Sequence, residues 1–150
     1  DQAKRRYGGR RHIVDSLKNL RLHAPKDYFD AIVCNGVFMK TAIETREEAE
    51  PSFEACRRCL RESGWFILGW NDVDELRPYL PSQSPELAAF EWSAFPPMGV
   101  KEYLTDTSIR HTYNFYRKPL SASMERGGVV GSFARQPAID RHQTVGARLP

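Results

Sequence analysis

Two uninterrupted apolar runs, Ala31-Ile32-Val33-Cys34 and Trp65-Phe66-Ile67-Leu68, constrain this chain more than anything else in it. Neither run alternates. A strand with one wet face reads apolar-polar, whereas a continuous run suits a strand buried on both faces, as in a parallel sheet under helices. Asn35-Gly36 breaks the first of them. Between the runs, residues 44–62 carry a helical pattern. Glu44, Glu47, Glu48 and Glu50 come first and Arg57, Arg58 and Arg61 last, an order that complements the helix dipole. Phe53, Cys56, Cys59 and Leu60 recur on one face at three- and four-residue spacings. Pro51 is placed near the first turn, and Ser63-Gly64 reads as the stop, with Gly64 as a left-handed cap. Strand, helix and strand make one βαβ unit. Segments 29–34 and 65–70 are therefore predicted to be adjacent parallel strands with a right-handed crossover.

The flanks read less sharply. Arg11 to Val14 is a short apolar step that Asp15 ends, a strand running into a turn. Asp72 reads as the cap of a short helix ending near Pro78, with Glu75 completing a capping box. Residues 81–89 are a Pro/Ser-rich link with one helical turn. Phe90 to Phe95 alternates as a strand, residues 99–104 form a short helix or turn, and His111 to Tyr116 is a strand rich in β-formers. The last two strands then form a large hairpin. Residues 119–150 hold four Gly, three Pro and scattered Arg without lasting period, which reads as a flexible tail after a domain spanning 1–118.

Composition excludes several classes. With 41% hydrophobic and 27% charged residues, the chain reads as globular rather than disordered. No run approaches the length that a transmembrane helix needs, so no membrane partner is expected. Asp1 to Arg11 is polar and basic, unlike a secretory leader. Three cysteines, an odd number, argue against a disulfide framework and for a reducing, cytoplasmic compartment. Cys56 and Cys59 lie within the helical pattern with no second pair and no histidine near, so no metal site is assigned to them. Residues 1–26 hold eight Lys/Arg against Asp1 and Asp15. Only Tyr7 is aromatic there, so a solvated basic arm is favoured over a nucleic-acid surface.

Three pieces together resemble the back half of a class I S-adenosylmethionine-dependent methyltransferase. Tyr28-Phe29-Asp30-Ala31-Ile32-Val33-Cys34-Asn35-Gly36-Val37-Phe38 resembles the family's fourth strand. Cys59-Leu60-Arg61-Glu62-Ser63-Gly64-Trp65-Phe66-Ile67-Leu68-Gly69 resembles its helix turn and fifth strand, with Glu62 and Ser63 in place of the usual Pro and Gly. His111 to Pro119 is similar to its last strand. The resemblance implies a partial Rossmann-like methyltransferase sheet, mostly parallel with an antiparallel C-terminal strand pair. The family's glycine-rich GxGxG turn and its ribose-binding acid have no counterpart. Gly8-Gly9 lacks an apolar strand before it and fails the context test for a nucleotide loop.

What the resemblance implies about function is S-adenosylmethionine-dependent methyl transfer to a small-molecule acceptor in the intact protein. Asp15 stands where the family puts an acid near the adenine amino group, with Ser16 beside it; its other role is a turn or N-cap. Asn35 and Gly36 would face the crevice beyond the sheet's carboxyl edge, where open α/β folds bind ligands. On the acceptor side stand Phe38, Trp70, Asn71 and His111. Phe38 also reads as core, and His111 as a base, since imidazole titrates near neutral pH, or as a structural histidine. A noncatalytic methyltransferase-like domain that binds a partner or dimerises is the second reading, and another Rossmann-like nucleotide-dependent enzyme the third. Without the family's first two strands, the fourth-strand segment would present an uncovered edge. The chain is thus expected to form a homodimer through that edge, or to be part of a longer polypeptide, and to bind the cofactor weakly or not at all by itself.

Overall fold

The two apolar runs form neighbouring parallel strands. β1 spans Phe29–Phe38 and β2 spans Leu60–Asn71, with Ala31 opposite Trp65, Val33 opposite Ile67 and Asn35 opposite Gly69. The computed structural model describes Ile13 and residues 15–121. A 3-10 turn at Leu17–Leu22 precedes β1, and helix α1, Arg46–Cys59, joins the two strands. A 3-10 turn at Pro81–Gln83 and the single-turn helix α2, Pro85–Ala88, follow. Strands β3 (Glu91–Trp92), β4 (Glu102–Asp106) and β5 (His111–Arg117) complete the sheet.

The strand order is β1-β2-β5-β3, with β4 also on β5. β5 runs antiparallel to β2, β3 and β4. The antiparallel last strand agrees with expectation. The expectation of a mostly parallel sheet is corrected, because β1–β2 is the only parallel pairing among the described strands. Its physical reason is the connection: β4 and β5 are joined by a tight turn over 107–110, and a tight turn can join only antiparallel neighbours.

Helix α1 ends earlier than its sequence pattern suggests. Leu60 already has φ −74° and ψ 138°, and β2 begins there. The Ser63 N–H donates to the Lys118 carbonyl at 2.9 Å and the Lys118 N–H to the Gly64 carbonyl at 2.9 Å. These bonds draw residues 63–64 into the sheet instead of letting them cap the helix. The left-handed residue is Ser63, with φ 60°, inside a wide irregularity between Phe29/Leu60 and Ala31/Trp65. Pro51 lies inside α1 rather than in its first turn.

Alternation along the strands assigns the faces. Cys34, Phe66, Leu68, Trp70 and Tyr116 point to the face that α1 covers. There they join Phe38, Phe53, Leu87 and Phe90 in one core. Phe53 stands 5.8 Å from Phe66 edge-on, and Phe66 stacks on Phe90 at 5.6 Å. Each such ring taken from water stabilises the fold by about 1.5–3 kcal/mol. Burial also raises the Cys34 thiol to about 11 and raises that of Cys56, so neither is a ready nucleophile.

The opposite face carries Ala31, Val33, Asn35, Trp65, Ile67, Gly69, Asn71, His111, Tyr113 and Phe115. At one end Phe95 packs on it, 5.1 Å from Trp65 and 5.0 Å from Phe115. Among the described residues no helix covers the rest, and Val33 is 61% exposed. This open face is what makes the carboxyl end of β1 and β2 accessible.

Three further expectations are corrected. Asp72 caps no helix. Its carboxylate accepts from Arg77 and from Arg110 Nη2 at 2.7 Å, and these cations from other segments out-compete the local N–H groups. Residues 90–95 contribute only the two-residue β3 to the named strands, and residues 99–104, expected as helix or turn, run into strand β4 at Glu102. The short strand expected at Arg11–Val14 lies outside the described residues apart from Ile13, which carries no regular structure. Gly8-Gly9 and the tail from residue 122 onward lie outside them entirely. No helix of the described residues is long and apolar enough to cross a membrane.

Candidate functional site

A cleft of about 410 Å³ lies beside β1. Asp15, Ser16, Leu17 and Lys18 form one wall, Val33, Cys34, Asn35 and Val37 the second, and Ile43, Glu48 and Ser52 the floor. Val33, Cys34 and Asn35 point to alternate faces, yet all three line the cleft. It must therefore open along the edge of β1 that no described strand pairs with. Its volume is within the range of small-molecule sites.

Asp15 is organised before any ligand arrives. One carboxylate oxygen accepts from the Ser16 N–H at 2.7 Å and the Asn19 side-chain amide at 2.9 Å. The other meets His23 Nε2 at 2.6 Å. Ser16 holds the N-cap position of the first 3-10 turn, without a side-chain cap bond. The turn role and the cleft role of Asp15 coexist. The His23 hydrogen bond first, then those from Asn19 and Ser16, hold the Asp15 carboxyl down at about 2. A depressed carboxyl contributes above its ordinary value of 3.8, and that contribution is lost as pH falls toward about 2. The amide signals of Ser16 and Asn19 are thus expected to show an Asp15 transition below pH 3.8, centred near 2, with Asp15→Asn abolishing that transition. An Asp15 transition centred at or above 3.8 would contradict this ordering of the turn.

Asn35 joins this cleft to a second group of side chains. It is opposite Gly69, which is in turn opposite Tyr113. A Cβ on Gly69 would run into the Asn35 amide oxygen and would come within 2.8 Å of Tyr113 Cε1. Glycine here lets two side chains close over the central strand. One step further, Asn71 is opposite His111, and His111 Nδ1 is 2.7 Å from Asn71 Oδ1. The His111 ring is edge-on to Tyr113 at 5.0 Å. Asn35, Gly69, Tyr113, Asn71 and His111 thus form a polar and aromatic row on the open face.

Of the residues picked out in sequence, Asp15, Ser16 and Asn35 line one cleft, and Asn71 and His111 pair beside it. Gly36, with φ 69° and open space where a Cβ would be, does not break β1 as expected; the strand runs on to Phe38, with its register shifted between Asn35 and Phe38. Phe38 and Trp70 belong elsewhere. Phe38 is 1% exposed, between Phe53 and Tyr79. Trp70 faces the helix side, where its indole donates to Asn114 Oδ1 at 3.1 Å. It lines a separate 290 Å³ depression with Trp92, Glu102 and Asn114. Gly69 and Tyr113 were missed, although a lone glycine inside an apolar strand marks a close approach.

No group of three or more His, Cys, Asp or Glu side chains among the described residues is placed to hold a metal ion. No protein-family model matches the sequence, and no curated protein is similar enough to count as a match.

The groups around the cleft suit part of the cofactor that the resemblance implies. The Asp15 carboxylate is an acceptor suited to an adenine amino group, and the apolar walls suit a ring. For the methionine end, the described residues offer no glycine-rich turn.

Proposed function

We propose that the intact protein transfers a methyl group from S-adenosylmethionine to a small-molecule acceptor, with this chain supplying the adenine end of the cofactor site and the acceptor side. The cofactor would contribute an activated sulfonium methyl. The carrying observation is Asn35, which lines the Asp15 cleft and also lies over Gly69 beside Tyr113. A ligand in the cleft and one on the open face would thus meet at one side chain. The chain's own part is positional. Asp15 would accept a hydrogen bond from the base, Ser16 and Leu17 would border the ring, and Asn35 would orient whichever ligand its amide reaches. Holding two reactants in line is the larger part of what such a transfer asks of a protein. The antiparallel β5 beside β2 also supports this reading over a dehydrogenase-like sheet.

Isothermal titration with S-adenosylmethionine is expected to show no micromolar site, because the methionine end lacks its holder. Amide NMR with millimolar adenosine is expected to move Ser16 and Asn35, and Asp15→Ala to remove that response. Adenosine that leaves both residues unmoved would reject the cleft as a nucleoside site. Micromolar cofactor binding would mean that another segment, such as Arg5–Arg11, completes the pocket.

A noncatalytic binding or dimerising role is the second reading. It is favoured by the ten-residue β1, which pairs on one side only among the described strands.

A further inference from the structure

The row on the open face contains a polar pair whose geometry goes beyond ligand contact. Asn71 ends β2 and is 8% exposed. Its amide oxygen lies 2.7 Å from His111 Nδ1. An amide oxygen has no proton to give, so Nδ1 must carry the one they share. Nε2, on the far side of the ring, then holds a lone pair. No group among the described residues hydrogen-bonds it.

We propose that Asn71 is a positioning residue that fixes His111 as the Nδ1-protonated tautomer. Nε2 is then a proton-accepting catalytic site for a small molecule bearing a hydroxyl, thiol or amine N–H on the open face. The surroundings hold both neighbours of the pair in place. Asp72, next to Asn71, donates its N–H to the carbonyl of Arg110, next to His111, at 3.1 Å. The Asp72 carboxylate also accepts from Arg110 Nε at 3.2 Å and Nη2 at 2.7 Å, and from Arg77. Thr112 donates to the same Arg110 carbonyl at 3.0 Å. Both neighbours of the pair are therefore tied, and Arg110 is held at φ 47°, a conformation that persists only where its surroundings enforce it. Tyr113 fixes the ring plane from the side.

The charged groups around the imidazole are few. Asp106 is opposite His111 on β4 and attracts it electrostatically, while its Oδ1 accepts from the Ser108 N–H at 2.8 Å and hydroxyl at 2.6 Å. Arg110 is engaged by Asp72.

The step balances simply. The ligand's X–H bond breaks, an Nε2–H bond forms, and the electron pair of the broken bond stays on X. The imidazolium keeps its Nδ1 proton donated to Asn71, whose carbonyl dipole faces the new charge. This is the role of the third group in a base-and-orienter arrangement. Only the fate of the deprotonated X rests on the methyl-transfer reading. The ligand class follows: an acceptor whose reacting atom carries a proton, not a tertiary amine or thioether.

Long-range proton–nitrogen NMR of the 150-residue chain, with the imidazoles neutral, reads the tautomer directly. His111 is expected to carry its proton on Nδ1. Asn71→Asp, which still accepts from Nδ1–H, is expected to keep it there. Asn71→Leu is expected to shift the ratio toward the Nε2–H form by about fivefold, the factor that one net hydrogen bond supplies. Labelling with diethyl pyrocarbonate, located by mass spectrometry against His12, His23 and His142, is expected to slow at His111 in the Leu variant, in proportion to the fall in the Nδ1–H fraction that the NMR reads, and not in the Asp variant. A wild-type His111 protonated on Nε2 overturns the proposal, whether or not the Leu variant folds. So does a tautomer ratio indifferent to Asn71→Leu. Absence of adenosine shifts at Ser16 and Asn35 would instead reject the methyl-transfer reading and leave this result standing.

Discussion

Phe66→Ala is expected to remove about 3–5 kcal/mol of folding stability, enough to unfold much of a marginally stable domain. Phe66 is 0% exposed and lies in the centre of the central strand. Its ring touches three elements: Phe53 of α1 at 5.8 Å, Phe90 after α2 at 5.6 Å and Tyr116 of β5 at 6.3 Å. The cavity left by truncation cannot close easily. β2 is hydrogen-bonded on both sides, and the facing rings belong to segments with separate anchors. One of these anchors is Glu50 of α1, which accepts from the Tyr79 hydroxyl at 2.7 Å, the Ser84 hydroxyl at 2.8 Å and the Glu86 N–H at 3.0 Å. Urea unfolding followed by far-UV circular dichroism measures the loss. A midpoint displaced by less than about 1 kcal/mol of stability would mean that the core repacks around the gap, and that α1 is held to the sheet by other contacts.

The central unit was legible from its two continuous apolar runs, although β1 is not buried on both faces as such a run suggests: Ala31 and Val33 are exposed on the open face. Ala31–Cys34 and Trp65–Leu68 are apolar at every position, and they form adjacent parallel strands. The parity of those strands was legible too, and more could have been drawn from it. Asn71 and Trp70 are consecutive in β2, so they cannot both face one ligand. The structure gives Asn71 to the open face and Trp70 to the core. Phe38 escaped the same reasoning because the β1–β2 register shifts between Asn35 and Phe38.

What stayed hidden was decided by partners distant in sequence. The end of α1 depends on Lys118, which pairs with residues 63–64 from the far end of the chain. Asp72 looked like a helix cap because a cap needs only local residues, whereas Arg110 lies 38 positions away. β4 has no buried position along its five residues, so it had no apolar alternation to show. The row over Gly69 needs three strands in register before it exists at all. His111 and Asn71 could be suspected singly, but their hydrogen bond could not.

Gly69→Ala should separate the site from the fold. The added methyl would overlap the Asn35 amide oxygen and come within 2.8 Å of Tyr113 Cε1. β2 cannot retreat, because β1 and β5 hold it from either side. The side chains must give instead. Asn35 is exposed and can swing outward, so the cost to stability is expected near the low end of the 1–3 kcal/mol typical of overpacking, about 1 kcal/mol. The cost to the site is larger. With Asn35 displaced from the cleft wall and Tyr113 tilted away from His111, the adenosine-induced shift at Asn35 is expected to vanish, while that at Ser16 on the opposite wall weakens only in part. Gly36→Ala is the internal control. Nothing lies within 4 Å of its would-be Cβ, and its penalty comes from the backbone at φ 69° alone. It is expected to cost a similar amount of stability with the Gly69 row intact. A Gly69→Ala protein that keeps the wild-type Asn35 and Tyr113 signals and the full adenosine response would show that the row is not closed over the glycine. The bridge between the cleft and the open face would then be lost, and with it the argument for methyl transfer at this site.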